Sequence, residues 1–181
     1  IEINFNNNEI NFLTKKNFDW NVKIVDTGLN TMTGGRIKKI KKYINNDENF
    51  YLTYGDGLSN VNIKKLSEFH IAHKKIATLT MVVPPAKYGA VEVDKNIVTK
   101  FQEKPKRDNE LINGGFFVLN KKIFKFIKND KTVFEENVMK KLTKLKELQA
   151  YKHFGFWQSM DSLKDKIDLE ELWIKKPFWK K

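Results

Sequence analysis

Asp56 stands between two glycines in Thr53-Tyr54-Gly55-Asp56-Gly57, where the apolar run Phe50 to Tyr54 ends. A carboxylate so placed is exposed at a sheet rim, and the glycines leave room for a ligand to approach the backbone. It suits Mg²⁺, which takes one or two protein carboxylates and fills its shell with phosphate oxygens and water. The same residues also make an ordinary turn. Asp161 follows Phe156-Trp157-Gln158-Ser159-Met160. It is a candidate second carboxylate for that ion, and equally a helix N-cap. Thr33-Gly34-Gly35-Arg36 opens a helix. Either its N–H groups and the Arg36 fork receive an anion, or it is a glycine-rich turn with a solvated arginine. Glu103-Lys104-Pro105 closes a strand. Lysine suits a phosphate, and glutamate accepts from sugar hydroxyls. Asn113-Gly114-Gly115 leads into another strand. His70, His73 and His153 form no metal or triad pattern and read as structural or solvated. Phe154, Phe156 and Trp157 read as core rather than as a base-stacking platform.

The elements that must position these groups alternate between strand and helix, which argues an α/β layer fold. Ile1 to Leu13 alternates around three asparagines and predicts a hairpin. Strands are expected at Val22–Val25, Phe50–Tyr54, Ile76–Val83, Ala90–Val93, Ile97–Gln102, Gly115–Leu119 and Gln149–Phe154. Helices are marked by apolar spacings of three and four at Ile37, Ile40 and Ile44, and at Ile63, Leu66 and Phe69. Ile123, Phe124 and Ile127 mark a short helix. A longer one runs from Val133 to Leu148, and a last stripe carries Leu163, Ile167 and Ile174. In open α/β sheets ligands sit beyond the carboxyl ends of the strands. Asp26-Thr27-Gly28, Gly55-Asp56-Gly57 and Asn113-Gly114-Gly115 are the polar, glycine-flanked segments placed for that.

The chain of 181 residues has no cysteine. It reads as a single domain over 1–181. A disulfide framework, a thiolate metal site and a cysteine nucleophile are excluded within it. Its longest apolar run, Ile76 to Val83, is far short of the roughly 20 residues of a membrane span. The net charge of +12 does not indicate nucleic acid. Of 34 cations 32 are lysine, spread along the chain, whereas a binding stripe concentrates them. The 19 asparagines and 16 isoleucines are, like lysine, amino acids of A/T-rich codons. The opening at Ile1, inside a predicted strand, reads as that of a fragment.

The order of the motifs says more than any one of them. Asp26-Thr27-Gly28, Met32-Thr33-Gly34-Gly35-Arg36, Gly55-Asp56-Gly57, Phe101-Gln102-Glu103-Lys104-Pro105, Asn113-Gly114-Gly115 and Gly155-Phe156-Trp157-Gln158-Ser159-Met160-Asp161 follow one another along the chain. The series resembles the glucose-1-phosphate cytidylyltransferases, a branch of the sugar-phosphate nucleotidyltransferases, from Trp20 to Trp179. The resemblance implies a Rossmann-like α/β sandwich with a mixed central sheet. It implies the reaction of CTP with α-D-glucose 1-phosphate to give CDP-glucose and pyrophosphate, with Mg²⁺. It further implies a cytoplasmic homo-oligomer that supplies dideoxysugar for surface polysaccharide.

By the same resemblance Asp56 and Asp161 are metal ligands, with Asp56, Lys104 and Arg36 catalytic. Thr33, Arg36, Gly57, Gly89, Glu103, Lys104, Asn113 and Gly114 contact substrate. Ser159 stands where the family has proline, and Lys87-Tyr88-Gly89 where it has Arg-Phe-Gly. The family's N-terminal Gly-Gly-x-Gly-Thr-Arg loop, which cradles the triphosphate, is not in the sequence. The first strand–helix units are expected to be missing with it, leaving the C-terminal two-thirds of a domain that is inactive alone. A relative using dTTP or GTP, or a catalytically dead binding or assembly remnant, are the alternatives.

Overall fold

The computed structural model describes residues 2–4, 6–7, 9–11, 21–44, 48–85, 90–102, 111–175, 177 and 179. The predicted hairpin forms, with β1 (Glu2–Asn4) antiparallel to β2 (Glu9–Asn11). Helix α1 (Thr33–Lys39) continues as a 3₁₀ turn through Tyr43. Then come β3 (Asn49–Thr53), β4 (Gly57–Ser59), α2 (Ile63–His73), β5 (Ala77–Val82), β6 (Ala90–Asp94) and β7 (Ile97–Gln102). β8 (Ile112–Asn120) is followed by a 3₁₀ turn, Lys121–Phe126, and a π-helical turn, Phe134–Met139. α3 (Lys140–Lys144), β9 (Leu148–His153), β10 (Trp157–Ser159) and α4 (Leu163–Lys175) complete the order.

The central sheet runs β3-β8-β5-β9. β8 is antiparallel to both its neighbours, whereas β5 and β9 are parallel. The sheet is therefore mixed, as expected. Alternation along β8 sorts its side chains to two faces. Phe117 and Leu119 join Ala77, Ile37, Ile123, Phe134, Val138 and Leu142 in the core cluster on one face. On the other, α2 lies against β5, with Leu66 and His70 buried. The 3₁₀ turn at Phe124 stacks its ring on Phe50 at 5.6 Å between centroids.

Several elements differ from the sequence reading, and the short strands β4 and β10 were not expected at all. Residues 22–25 form no strand, and Val22 and Ile24 are mostly exposed. A short apolar run becomes a strand only beside a partner, and none pairs with it among the described residues. The helix expected over 133–148 is a π-helical turn and a short α-helix, and Leu148 already begins β9. In α4 the expected apolar stripe faces out: Leu163, Ile167 and Ile174 are 72%, 51% and 82% exposed, while Asp165 and Leu169 are buried.

Candidate active site

Two short strands bring the candidate metal ligands together. β10 pairs antiparallel with β4, with Ser159 opposite Gly57. The ladder extends one step, because the Met160 N–H donates to the Asp56 carbonyl at 2.8 Å. Asp56 and Asp161 thus stand at the same end of one ribbon, although 105 positions separate them in sequence. Both residues are exposed.

Asp161 is not the helix cap. Ser162 caps α4: its Oγ accepts from the Asp165 N–H at 3.2 Å. Asp165 answers with Oδ2, which accepts from the Ser162 and Asp161 N–H groups at 3.0 and 3.2 Å. That reciprocal arrangement is a capping box. It explains why a charged residue is buried here, and it assigns the structural task to Asp165. The Asp161 carboxylate instead accepts from the Ser159 hydroxyl at 2.7 Å. A serine in the family's proline position therefore gives this carboxylate a donor that proline lacks.

The ribbon is stitched to the central sheet. The Trp157 indole N–H donates to the Gly114 carbonyl at 2.8 Å. The Phe156 carbonyl accepts from the Asn60 N–H at 3.1 Å and from the Ser59 hydroxyl at 2.9 Å. Trp157 is half-buried, but Phe154 is 73% exposed and is not core. Gly114 packs where a Cβ would meet Val82 Cγ1 at 2.7 Å, and Gly115 has φ +77. Asn113, Gly114, Gly57, Asp56 and Asp161 therefore share one end of the sheet, at the carboxyl ends of β3 and β5.

In the Thr33-Gly34-Gly35-Arg36 segment the two glycine N–H groups favour the turn over the anion site. The Gly34 and Gly35 N–H groups both donate to the Thr132 carbonyl, at 2.9 and 3.3 Å. The Thr33 hydroxyl accepts from the Phe134 N–H at 2.8 Å and donates to Glu135 Oε2 at 3.0 Å. A helix start whose donors and hydroxyl are engaged this way is docked on protein rather than offered to phosphate. Arg36 is exposed; its guanidinium donates to the Thr27 hydroxyl at 2.6 Å and the Leu29 carbonyl at 3.2 Å. It thereby holds the loop in which the Gly28 N–H donates to Asp26 Oδ1 at 2.7 Å.

The docking requires glycine. A Cβ on Gly35 would lie 2.7 Å from Asp130 Cα and 2.8 Å from its carbonyl oxygen. In an isolated helix alanine would be favoured by about 1 kcal/mol. Here the backbone clash decides the sign, and Gly35→Ala is expected to destabilise the chain by about 1–3 kcal/mol. Urea denaturation measures it. Gly55→Ala, where nothing lies within 4 Å, is the control.

A second cluster was not visible in the sequence. Glu135, on the π-helical turn, accepts through Oε1 from the Tyr54 hydroxyl at 2.6 Å and through Oε2 from Thr33. Tyr54 in turn accepts from Asn113 Nδ2 at 3.4 Å. Burial, and next Glu135 itself, push the Tyr54 phenol further above its ordinary value, with Asp56 adding to the effect. The phenol therefore stays a donor. Lys104, Glu103 and Gly89 lie outside the described residues. Among the described residues no helix is long and apolar enough to cross a membrane.

The nucleotidyl transferase family matches residues 3–171. The chain belongs to that family. It is 50% identical over 162 residues to glucose-1-phosphate cytidylyltransferase of Salmonella typhi, covering 89% of this chain and 63% of the relative. It is 35% identical over 129 residues to D-glycero-alpha-D-manno-heptose 1-phosphate guanylyltransferase of Aneurinibacillus thermoaerophilus, covering 68% of this chain and 53% of that one. Among solved structures, HddC from Yersinia pseudotuberculosis superposes with a TM-score of 0.59 at 26% identity, over 79% of this chain and 63% of that one. The chain thus spans under two-thirds of the length of these relatives.

Proposed function

We propose that this chain is the metal- and sugar-phosphate-binding part of a glucose-1-phosphate cytidylyltransferase. The supporting observation is the β4–β10 ribbon, which carries Asp56 and Asp161 to one end beside Gly114 and Asn113. The 50% identity to the Salmonella typhi enzyme favours cytidylyl over guanylyl transfer. In the reaction, a phosphate oxygen of glucose 1-phosphate attacks the α-phosphorus of CTP. A new P–O bond forms, the bond from the α-phosphorus to the β-phosphate oxygen breaks, and pyrophosphate leaves with the electron pair. The nucleophile is already anionic, so no protein nucleophile or base is needed. The protein's task is positioning and charge neutralisation.

The donor set fits a hard cation. Two exposed aspartates share a ribbon end, and carboxylate oxygens are the ligands such an ion takes. Mg²⁺ held by Asp56 and Asp161 supplies charge neutralisation at phosphate oxygens when bound. Lys104 holds the sugar phosphate, while Glu103, Asn113 and Gly89 contact the sugar. Arg36 acts through the 27–29 loop that it fixes.

The test is a turnover panel on the full-length gene product containing this chain. CTP, dTTP, GTP and ATP are each offered with glucose 1-phosphate and Mg²⁺, and pyrophosphate release is followed. CTP is expected to give the highest kcat/KM, with CDP-glucose as product. Preference for another nucleotide overturns the base assignment; no turnover with any of them overturns the reading.

A further inference from the structure

We propose that Glu135, acting through Tyr54, is a positioning residue that fixes the Asn113 amide as a hydrogen-bond donor toward the sugar. This rests on the sugar-phosphate reading above. Three hydrogen bonds set the direction of the chain. A carboxylate can only accept, so Tyr54 must point its O–H at Glu135 Oε1. The phenol oxygen is then left to accept, and Asn113 Nδ2 faces it at 3.4 Å. From the other side the Gly115 N–H donates to Asn113 Oδ1 at 3.0 Å. Both ends of the amide are thereby assigned: oxygen to the backbone, nitrogen to Tyr54. One Nδ2 hydrogen remains at an exposed position on the ligand side of the sheet. It recognises an acceptor, such as the oxygen of a sugar hydroxyl.

The geometry around Tyr54 holds the chain in place. Its ring lies on Gly115, where a Cβ would approach Cδ2 to 2.8 Å, and the φ of +77 there already disfavours any side chain. It also meets Phe117 edge-on at 5.5 Å. On the far side of Glu135, Thr33 ties the same carboxylate to the start of α1. One carboxylate therefore couples the helix bearing Arg36 to the strand end bearing Asn113.

The experiment uses Glu135→Ala and Tyr54→Phe. Alanine removes both acceptors, and phenylalanine keeps the ring but removes the hydroxyl. In the full-length gene product both are expected to raise KM for glucose 1-phosphate up to about tenfold, the scale of one neutral hydrogen bond. KM for CTP should stay within about twofold. In nitrogen-15 NMR spectra the Asn113 side-chain amide resonances should shift in both variants. Phe134→Leu, which loosens the same segment by packing alone, should lower Tm and leave KM for the sugar phosphate unchanged. An unmoved Asn113 amide overturns the proposal, as does an equal rise in both KM values. A wild-type protein that turns over no sugar 1-phosphate overturns the underlying reading instead, and the NMR result still decides whether Glu135 orients Asn113.

Discussion

Asp56→Asn in the full-length gene product is expected to lower kcat by about a hundredfold or more, since even second-sphere changes at metal sites cost about 10–100-fold. The Mg²⁺ concentration for half-maximal rate should rise with it. Asparagine keeps the shape of the side chain and leaves the backbone bond from Met160 untouched. The fold should therefore survive, with Tm close to that of the wild type. Asp161→Asn should behave alike. The informative measurement is the double variant. Two ligands of one ion act as a unit, so losing both should cost little more than losing either. Effects that multiply would assign the two aspartates to separate tasks. Asp165→Ala gives the contrast. That carboxylate caps α4 through two backbone N–H groups, so its loss should lower Tm while the Mg²⁺ dependence stays that of the wild type.

Much of the Asp56 end of this site is legible in the sequence, because its cause is local. Glycines on both sides of a carboxylate after an apolar run specify an exposed turn at a strand end, and the structure has one there. The partnership with Asp161 is different. It depends on two strands of three residues each, Gly57–Ser59 and Trp157–Ser159, too short for alternation to show and about a hundred positions apart. Only the order of motifs pointed to it. Glu135 had no signal at all. It is one of two adjacent glutamates in a segment whose 3.6-residue stripe suggests a continuous helix, and nothing in that spacing tells which of them meets Tyr54. The donors of Gly34 and Gly35 stayed open between an anion and a turn for a related reason. A glycine-rich helix start looks the same whether phosphate or a loop carbonyl fills it, and here Thr132 fills it. In α4 the stripe was real but faced the wrong way. Spacing identifies an apolar face and does not say what covers it, whereas the buried face is set by Leu169 and the capping carboxylate of Asp165.

Stability is expected to fall by about 3 kcal/mol as pH drops from about 6.5 to 4, owing to His70. The ring is 2% exposed, on α2 against β5. His70 Nε2 faces Asn49 Oδ1 at 3.2 Å, so that nitrogen donates. His70 Nδ1 meets the Thr78 hydroxyl at 2.8 Å and accepts from it. His73 Nδ1 accepts from the Lys75 N–H at 2.9 Å, so His73 Nε2 donates to the same hydroxyl, at 2.7 Å. The chain from His73 through Thr78 and His70 to Asn49 is satisfied only when both rings are neutral. Burial holds the His70 pKa down to about 4, the neighbouring His73 adds to this, and Glu48 opposes it. Burial lowers His73 as well. The sign follows from where protons bind. Above about 6.5 both folded and unfolded chains carry a neutral ring, and the full stability is present. Between about 6.5 and 4 the unfolded chain takes a proton that the folded one refuses, so stability drains away. Below 4 both are protonated and the loss is complete. Carboxylates titrate in the lower part of that window, so the comparison must be with His70→Gln. The variant lacks the ring and should be less stable near pH 7.5. Its urea midpoint should approach that of the wild type on acidification. Midpoints that stay parallel down to pH 4 would overturn the assignment to His70.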